Sequence, residues 1–125
     1  MELVFDSFAW LAFFFKEDNG KVKQLLERNK GEIFTTSANL YEVYYRIHQR
    51  KGQKERDEAI AFIKGVSNLL PITESIALSA GELRIQHGLS AIDAFTLAAA
   101  REQDAKLVTG DLDFARLKDE NIIML

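Results

Sequence analysis

Glu2-Leu3-Val4-Phe5-Asp6 (ELVFD) and Lys106-Leu107-Val108-Thr109-Gly110-Asp111 (KLVTGD) decide how this chain folds. Each is a short apolar run of the kind that forms a strand buried on both faces, and each ends in an aspartate. A carboxylate is poorly placed beside a core unless something needs its charge. In an open α/β sheet, the carboxyl ends of the strands are where ligands bind.

Working outward from these two runs, strand-like and helical patterns alternate. An apolar helix is expected from about Phe8, and Lys21 to Arg28 reads as a charged helix with Val22, Leu25 and Leu26 on one side. Gly31 breaks the chain before a second strand, Glu32 to Thr36; Ser37 is suited to cap a helix carrying Leu40, Val43, Tyr44 and Ile47, which Gly52 ends. Lys54 to Leu69 reads as a helix, Leu70 to Thr73 as a short strand with Pro71 near its start, and Ser75 to Gln86 as a helix stopped by Gly88. Ser90 then starts a helix running to about Gln103; strand Leu107 to Thr109, a turn or short helix from Asp111 to Leu117, and strand Ile122 to Leu125 complete the chain. Strands separated by helices need crossover connections, so the expected class is α/β, a mainly parallel sheet between two helical layers.

Composition bounds the rest. The 125 residues fit one domain, and 47% hydrophobic content with a single proline argues for a folded protein. With no cysteine, disulfides and thiolate metal sites are excluded, and a reducing cytosol is a fitting location. His48 and His87 lack a paired metal-ligand spacing. The run Phe8 to Phe15 (FAWLAFFF) is too short to span a bilayer, and the acids flanking it do not suit a secretory signal, so a cytoplasmic protein without a membrane partner is expected. Its aromatics are expected in the core, with any exposed part a candidate contact surface. A net charge of −3 argues against holding nucleic acid by bulk electrostatics. The local stretch Arg46, Arg50, Lys51, Lys54 and Arg56 is nevertheless basic: either a solvated helix end or a guide for phosphate.

Five acids can be weighed singly. Asp6 suits a helix N-cap as well as a ligand, and Ser90 with Asp93 resembles a capping box. Glu42 falls nearly opposite the apolar stripe of its helix, where Arg46 can pair with it one turn on. Asp111 and Asp113 form an Asp-x-Asp turn able to offer two carboxylates to one cation. Gathered in one crevice, such acids would resist ionisation unless a cation neutralised them. All-oxygen ligands select magnesium or manganese, ions suited to phosphodiester hydrolysis.

Taken together, Phe5-Asp6-Ser7, Asn39-Leu40-Tyr41-Glu42, Leu89-Ser90-Ala91-Ile92-Asp93-Ala94 and Leu107-Val108-Thr109-Gly110-Asp111-Leu112-Asp113-Phe114 resemble, in order and spacing, the PIN-domain nucleases, and in size the VapC-like toxins of toxin–antitoxin modules. The resemblance spans residues 1–125 as a single PIN-like domain. It implies a sheet of strand order 3-2-1-4-5 and a magnesium- or manganese-dependent endoribonuclease acting on single-stranded RNA. It assigns Asp6, Glu42, Asp93 and Asp111 to catalysis, with Asp6, Asp93, Asp111 and the accessory Asp113 at the metal and Ser7 and Thr109 in support. Arg46, Arg50, Lys51 and Lys54 become candidates for RNA phosphate. A cognate antitoxin and a homodimer are implied partners. A receiver domain would carry paired acids after the first strand and a late lysine, and a haloacid-dehalogenase-like phosphatase Asp-x-Asp where Asp6-Ser7-Phe8 stands. The remaining alternative is a PIN-like protein that binds RNA or a partner without cutting it.

Overall fold

The computed structural model describes residues 1–125. The run Leu3–Phe5 (β1) lies at the centre of a five-stranded parallel sheet, between Ile33–Thr36 (β2) and Lys106–Thr109 (β4). Asn68–Leu70 (β3) adds beyond β2 and Ile122–Met124 (β5) beyond β4, giving the order β3-β2-β1-β4-β5 that the resemblance implies.

All three β1 side chains are buried, and their alternation feeds two cores. Val4 packs with Leu107 against Glu74–His87 (α5) and Ala91–Glu102 (α6), through residues such as Ala80, Leu83 and Leu97, and with Phe114 of the turn that follows β4. Leu3, Phe5 and Val108 point the other way. They meet Trp10 of Ser7–Phe14 (α1), Val22 of Lys21–Arg28 (α2), Val43 and Ile47 of Ser37–Lys51 (α3), and Ile63 of Gln53–Val66 (α4). The sheet is therefore covered on both faces, as a parallel sheet with apolar strands must be.

Trp10 is the core's largest buried side chain. Its ring meets Phe5 at 4.9 Å between centroids, and its indole N–H donates to Thr35 Oγ1 at 3.1 Å. Thr35 in turn donates to the Phe5 carbonyl at 2.8 Å, so each buried polar atom finds a partner.

Several element ends shift by one residue from the sequence expectation, and three differences have a clear local cause. The helix expected to reach Leu69 stops at Val66, and the third strand is Asn68–Leu70 rather than Leu70–Thr73. Ser67 turns its hydroxyl back to the Ile63 carbonyl at 2.6 Å, ending the helix, and Asn68 Nδ2 donates to the Ile33 carbonyl at 3.1 Å at the sheet edge. Pro71, which has no N–H to offer, follows this strand instead of starting it. The N-cap of α3 is Thr36, not Ser37. Ser37 is the first helical residue, and its Oγ accepts from the Ile72 amide at 3.3 Å.

Asn39 completes a reciprocal box with Thr36 and does more than cap. Its Oδ1 accepts from the Thr36 amide at 3.1 Å and the Thr36 hydroxyl at 2.8 Å. Its Nδ2 donates to Ser7 Oγ at 3.0 Å and Thr96 Oγ1 at 2.9 Å. One fully buried amide thus ties the starts of α1 and α3 to the body of α6, with all four of its hydrogen-bonding positions filled. Replacing Asn39 by Ala should lower the unfolding free energy by roughly 2–4 kcal/mol, because several buried partners lose their bonds together. Urea denaturation measures this; a midpoint within error of the parent protein is incompatible with a hub role.

Candidate metal centre at the strand ends

The site sits where the strand order reverses. β1 continues to β2 on one side and borders β4 on the other, and the crevice beyond these carboxyl ends is the expected ligand position. The register pairs Phe5 with Val108, so the chain delivers Asp6 and Thr109 side by side as both strands end.

Asp6 is the N-cap of α1, its Oδ1 accepting from the Ala9 amide at 2.8 Å. Capping and site placement therefore coincide in one residue. The carboxyl is 2% exposed, and burial pushes its pKa from the ordinary 3.8 up to about 7. The Thr109 hydroxyl and the Ala9 amide restrain that rise, while the charges of Asp93 and Asp111 add to it.

Asp93 lies in the first turn of α6, where Ser90 Oγ accepts from its amide at 3.4 Å. Only this half of a capping box forms, in contrast to the complete box at Thr36 and Asn39. The Asp93 carboxyl is also pushed up to about 7, by burial first, then by Asp111, with a smaller push from Glu42.

Asp111 caps the 3₁₀ turn Leu112–Leu117. Its Oδ1 accepts from the Asp113 amide at 2.9 Å, and its own amide donates to Thr109 Oγ1 at 2.9 Å. Thr109 thus steadies both the Asp6 carboxyl and the Asp111 turn.

Carboxylate oxygens of Asp93, Asp111 and Asp113 lie within 4.8 Å of one another. Asp6, Ser7 and Glu42 line the same cleft, about 380 Å³ in volume. Glu42 faces it from α3, its side chain 17% exposed and paired with Arg46 at 3.2 Å. The ion pair read from the sequence is present, with Glu42 sheltered in the cleft wall and the Arg46 side chain half exposed.

The donor set fits a hard divalent cation. It offers only oxygens, from short carboxylates close enough to share an ion, and two of its acids resist ionising beside their neighbours. Neutralising that repulsion is what a bound cation does best.

The basic residues do not form one surface. Arg46 belongs to the cleft. Arg50 pairs with Glu17 at 3.2 Å, and its guanidinium lies 3.9 Å from the centre of the Phe15 ring. Lys51 and Lys54 line a separate hollow with Phe14, Ile47 and Phe62.

Two features escaped sequence reasoning. Asn39 was detectable only as the third residue after a threonine able to cap. Phe8, which shares the cleft wall with the acids, gave no signal within an apolar run.

Comparison with known proteins bears on this arrangement. The family model described as PIN domain matches residues 3–120. Among solved structures, the DNA-bound VapBC of Salmonella typhimurium aligns with a TM-score of 0.84 at 14% identity, covering 99% of this chain and 98% of that one. VapC20 of Mycobacterium tuberculosis, described as a sarcin-ricin loop cleaving toxin, aligns at 0.80 with 21% identity over 93% and 95% of the two chains. A toxin–antitoxin complex from Klebsiella pneumoniae aligns at 0.77 with 22% identity over 98% and 97%. No curated protein sequence matches the chain. The five-stranded order, the acids at its switch point and a family match over nearly the whole length lead to one assignment: the chain belongs to the PIN domain family.

Proposed function

We propose that this protein is a magnesium- or manganese-dependent endoribonuclease that cleaves single-stranded RNA and serves as the toxin of a toxin–antitoxin pair. The observation that carries the reading is the convergence of Asp6, Glu42, Asp93, Asp111 and Asp113 on one cleft at the sheet's switch point. Membership of the PIN domain family supports it. So do structural neighbours described as a toxin–antitoxin complex and as a sarcin-ricin loop cleaving toxin.

In this reading Asp93, Asp111 and Asp113 would hold the ion, together with Asp6 from the same cleft. The chemistry supplied by a bound divalent ion is polarisation of a phosphate oxygen and formation of a nucleophile from water near neutral pH. Glu42, fixed by Arg46, orients the attacking water and takes up its proton. Ser7 and Thr109 keep the acid-bearing turns in place through their hydroxyls. Arg46 and Arg50 are assigned to RNA phosphate, with Lys51 and Lys54 contributing attraction at longer range. An antitoxin that covers the cleft and a homodimeric, cytoplasmic toxin complete the proposal. No helix is long and apolar enough to cross a membrane.

Replacing Asp111 by Asn should reduce magnesium-dependent cleavage of a single-stranded RNA panel by at least about 100-fold, the scale of losing a group that supports the transition state. Circular dichroism should remain that of the parent. Normal cleavage by the variant removes Asp111 from the site, and parent protein that binds RNA but shows no chelator-sensitive cutting is a binder without turnover.

The raised Asp6 carboxyl also sets a pH dependence. Because its folded pKa of about 7 exceeds the ordinary 3.8, its unfavourable contribution is absent below pH 4, grows between 4 and 7, and is complete above 7. At pH 8 it amounts to on the order of 4 kcal/mol. With chelator present, the melting temperature should fall from pH 5 to pH 8, and added magnesium should raise it more at pH 8 than at pH 5. Asp6→Asn, which keeps an oxygen for the Ala9 amide, should make the slope shallower and leave the part due to the similarly raised Asp93 carboxyl; an unchanged slope would exclude Asp6 as a source.

A further inference from the structure

We infer that Phe8 is a stacking platform for a nucleobase next to the phosphate held at the acids. This rests on the nucleic-acid reading of the same cleft and adds a contact with the substrate that the acids cannot make.

Phe8 stands two residues after Asp6 and lines the acidic cleft, yet it is 50% exposed. Its neighbours Ala9, Trp10 and Ala12 carry the burial of α1. Phe8 therefore spends a large apolar ring outside the core, beside carboxylates, where a polar residue would be the cheaper occupant.

The ring is also given a seat. A Cβ on Gly110 would stand 2.6 Å from Phe8 Cδ1 and 2.7 Å from Cε1, closer than atoms approach without displacement. Gly110 is not among the residues with positive φ, so its backbone does not demand glycine. What the missing side chain provides is room for the ring, in the turn that presents Asp111. One edge of Phe8 is fixed against that turn while half its surface stays open.

The surroundings select the occupant. A wall of carboxylates repels acidic peptides, and Arg46 is the cleft's only cationic side chain, already paired with Glu42. A ligand with an anionic phosphate for a cation held by the acids, and a flat apolar face for the ring, is a nucleotide in a single strand. Stacking of this kind tolerates any base, since every base has a π face.

The test is affinity for a fluorescein-labelled single-stranded adenosine decamer, measured by anisotropy with calcium replacing magnesium to slow turnover. Phe8→Ala and Phe8→Leu should weaken binding about tenfold to a hundredfold, and Phe8→Trp should retain it. Inorganic polyphosphate, which has no base, should bind parent and variants alike. Gly110→Ala should weaken decamer binding in the parent but not further in the Phe8→Ala background, because it acts through the ring.

Equal decamer affinity for parent and Phe8→Ala overturns the platform, as does an equal loss of polyphosphate binding, which would make Phe8 a support for the acids. Phe8→Leu binding as well as Phe8→Trp also overturns it, since bulk alone would then suffice. If the parent binds no decamer at all, the nucleic-acid reading of the cleft fails and the platform with it. A Phe8-dependent decamer affinity without magnesium-dependent cleavage upholds the platform and removes only the catalytic claim.

Discussion

A carboxyl group buried at the end of the central strand is the constraint around which this molecule is arranged. Asp6 leaves water because β1 is apolar throughout and flanked by parallel strands on both sides. Desolvation then disfavours its charge, and Asp93 and Asp111 disfavour it further. A fold optimised for stability alone would place an amide or hydroxyl there. Acids in mutual repulsion are relieved either by protonation, which the raised Asp6 and Asp93 carboxyls favour, or by a neutralising cation.

Holding such a cluster together requires scaffolding that does not yield, and the structure supplies it through neutral polar groups. Thr109 serves both Asp6 and Asp111. Asn39 binds Ser7, next to Asp6, and Thr96, one turn beyond Asp93, while lying one turn before Glu42 on its own helix. Each acid-bearing element except the Asp111 turn is therefore tied to the same amide. None of these supporting groups carries a charge, so they fix geometry without adding to the repulsion.

Much of this was legible in the chain, for identifiable reasons. β1 and β4 stood out because strands buried on both faces are continuously apolar, and their terminal aspartates broke that pattern. The edge strand β3 was misplaced because it is short, largely exposed and opens with Asn68, leaving no alternation to read. Glu42 looked solvated because residues opposite an apolar stripe usually are; here a cleft occupies that side of the helix. Lys51 and Lys54 were grouped with Arg46 by sequence proximity, but Lys51 lies five residues on around α3, which turns about 100° per residue, and Lys54 belongs to α4, beyond the break at Gly52. Asn39 stood in the Asn39-Leu40-Tyr41-Glu42 stretch without a role of its own, because a buried amide and a surface amide are the same letter.

The single tryptophan gives the fold an internal optical marker. Trp10 is fully enclosed, bonded to Thr35 of β2, and one helical turn from the Asp6 cap. Its emission therefore reports the docking of the first helix onto the sheet, the step that carries Asp6 into place. Acrylamide quenching and a red shift would register loosening of that helix before the secondary structure as a whole is lost, separating local opening of the site from global unfolding.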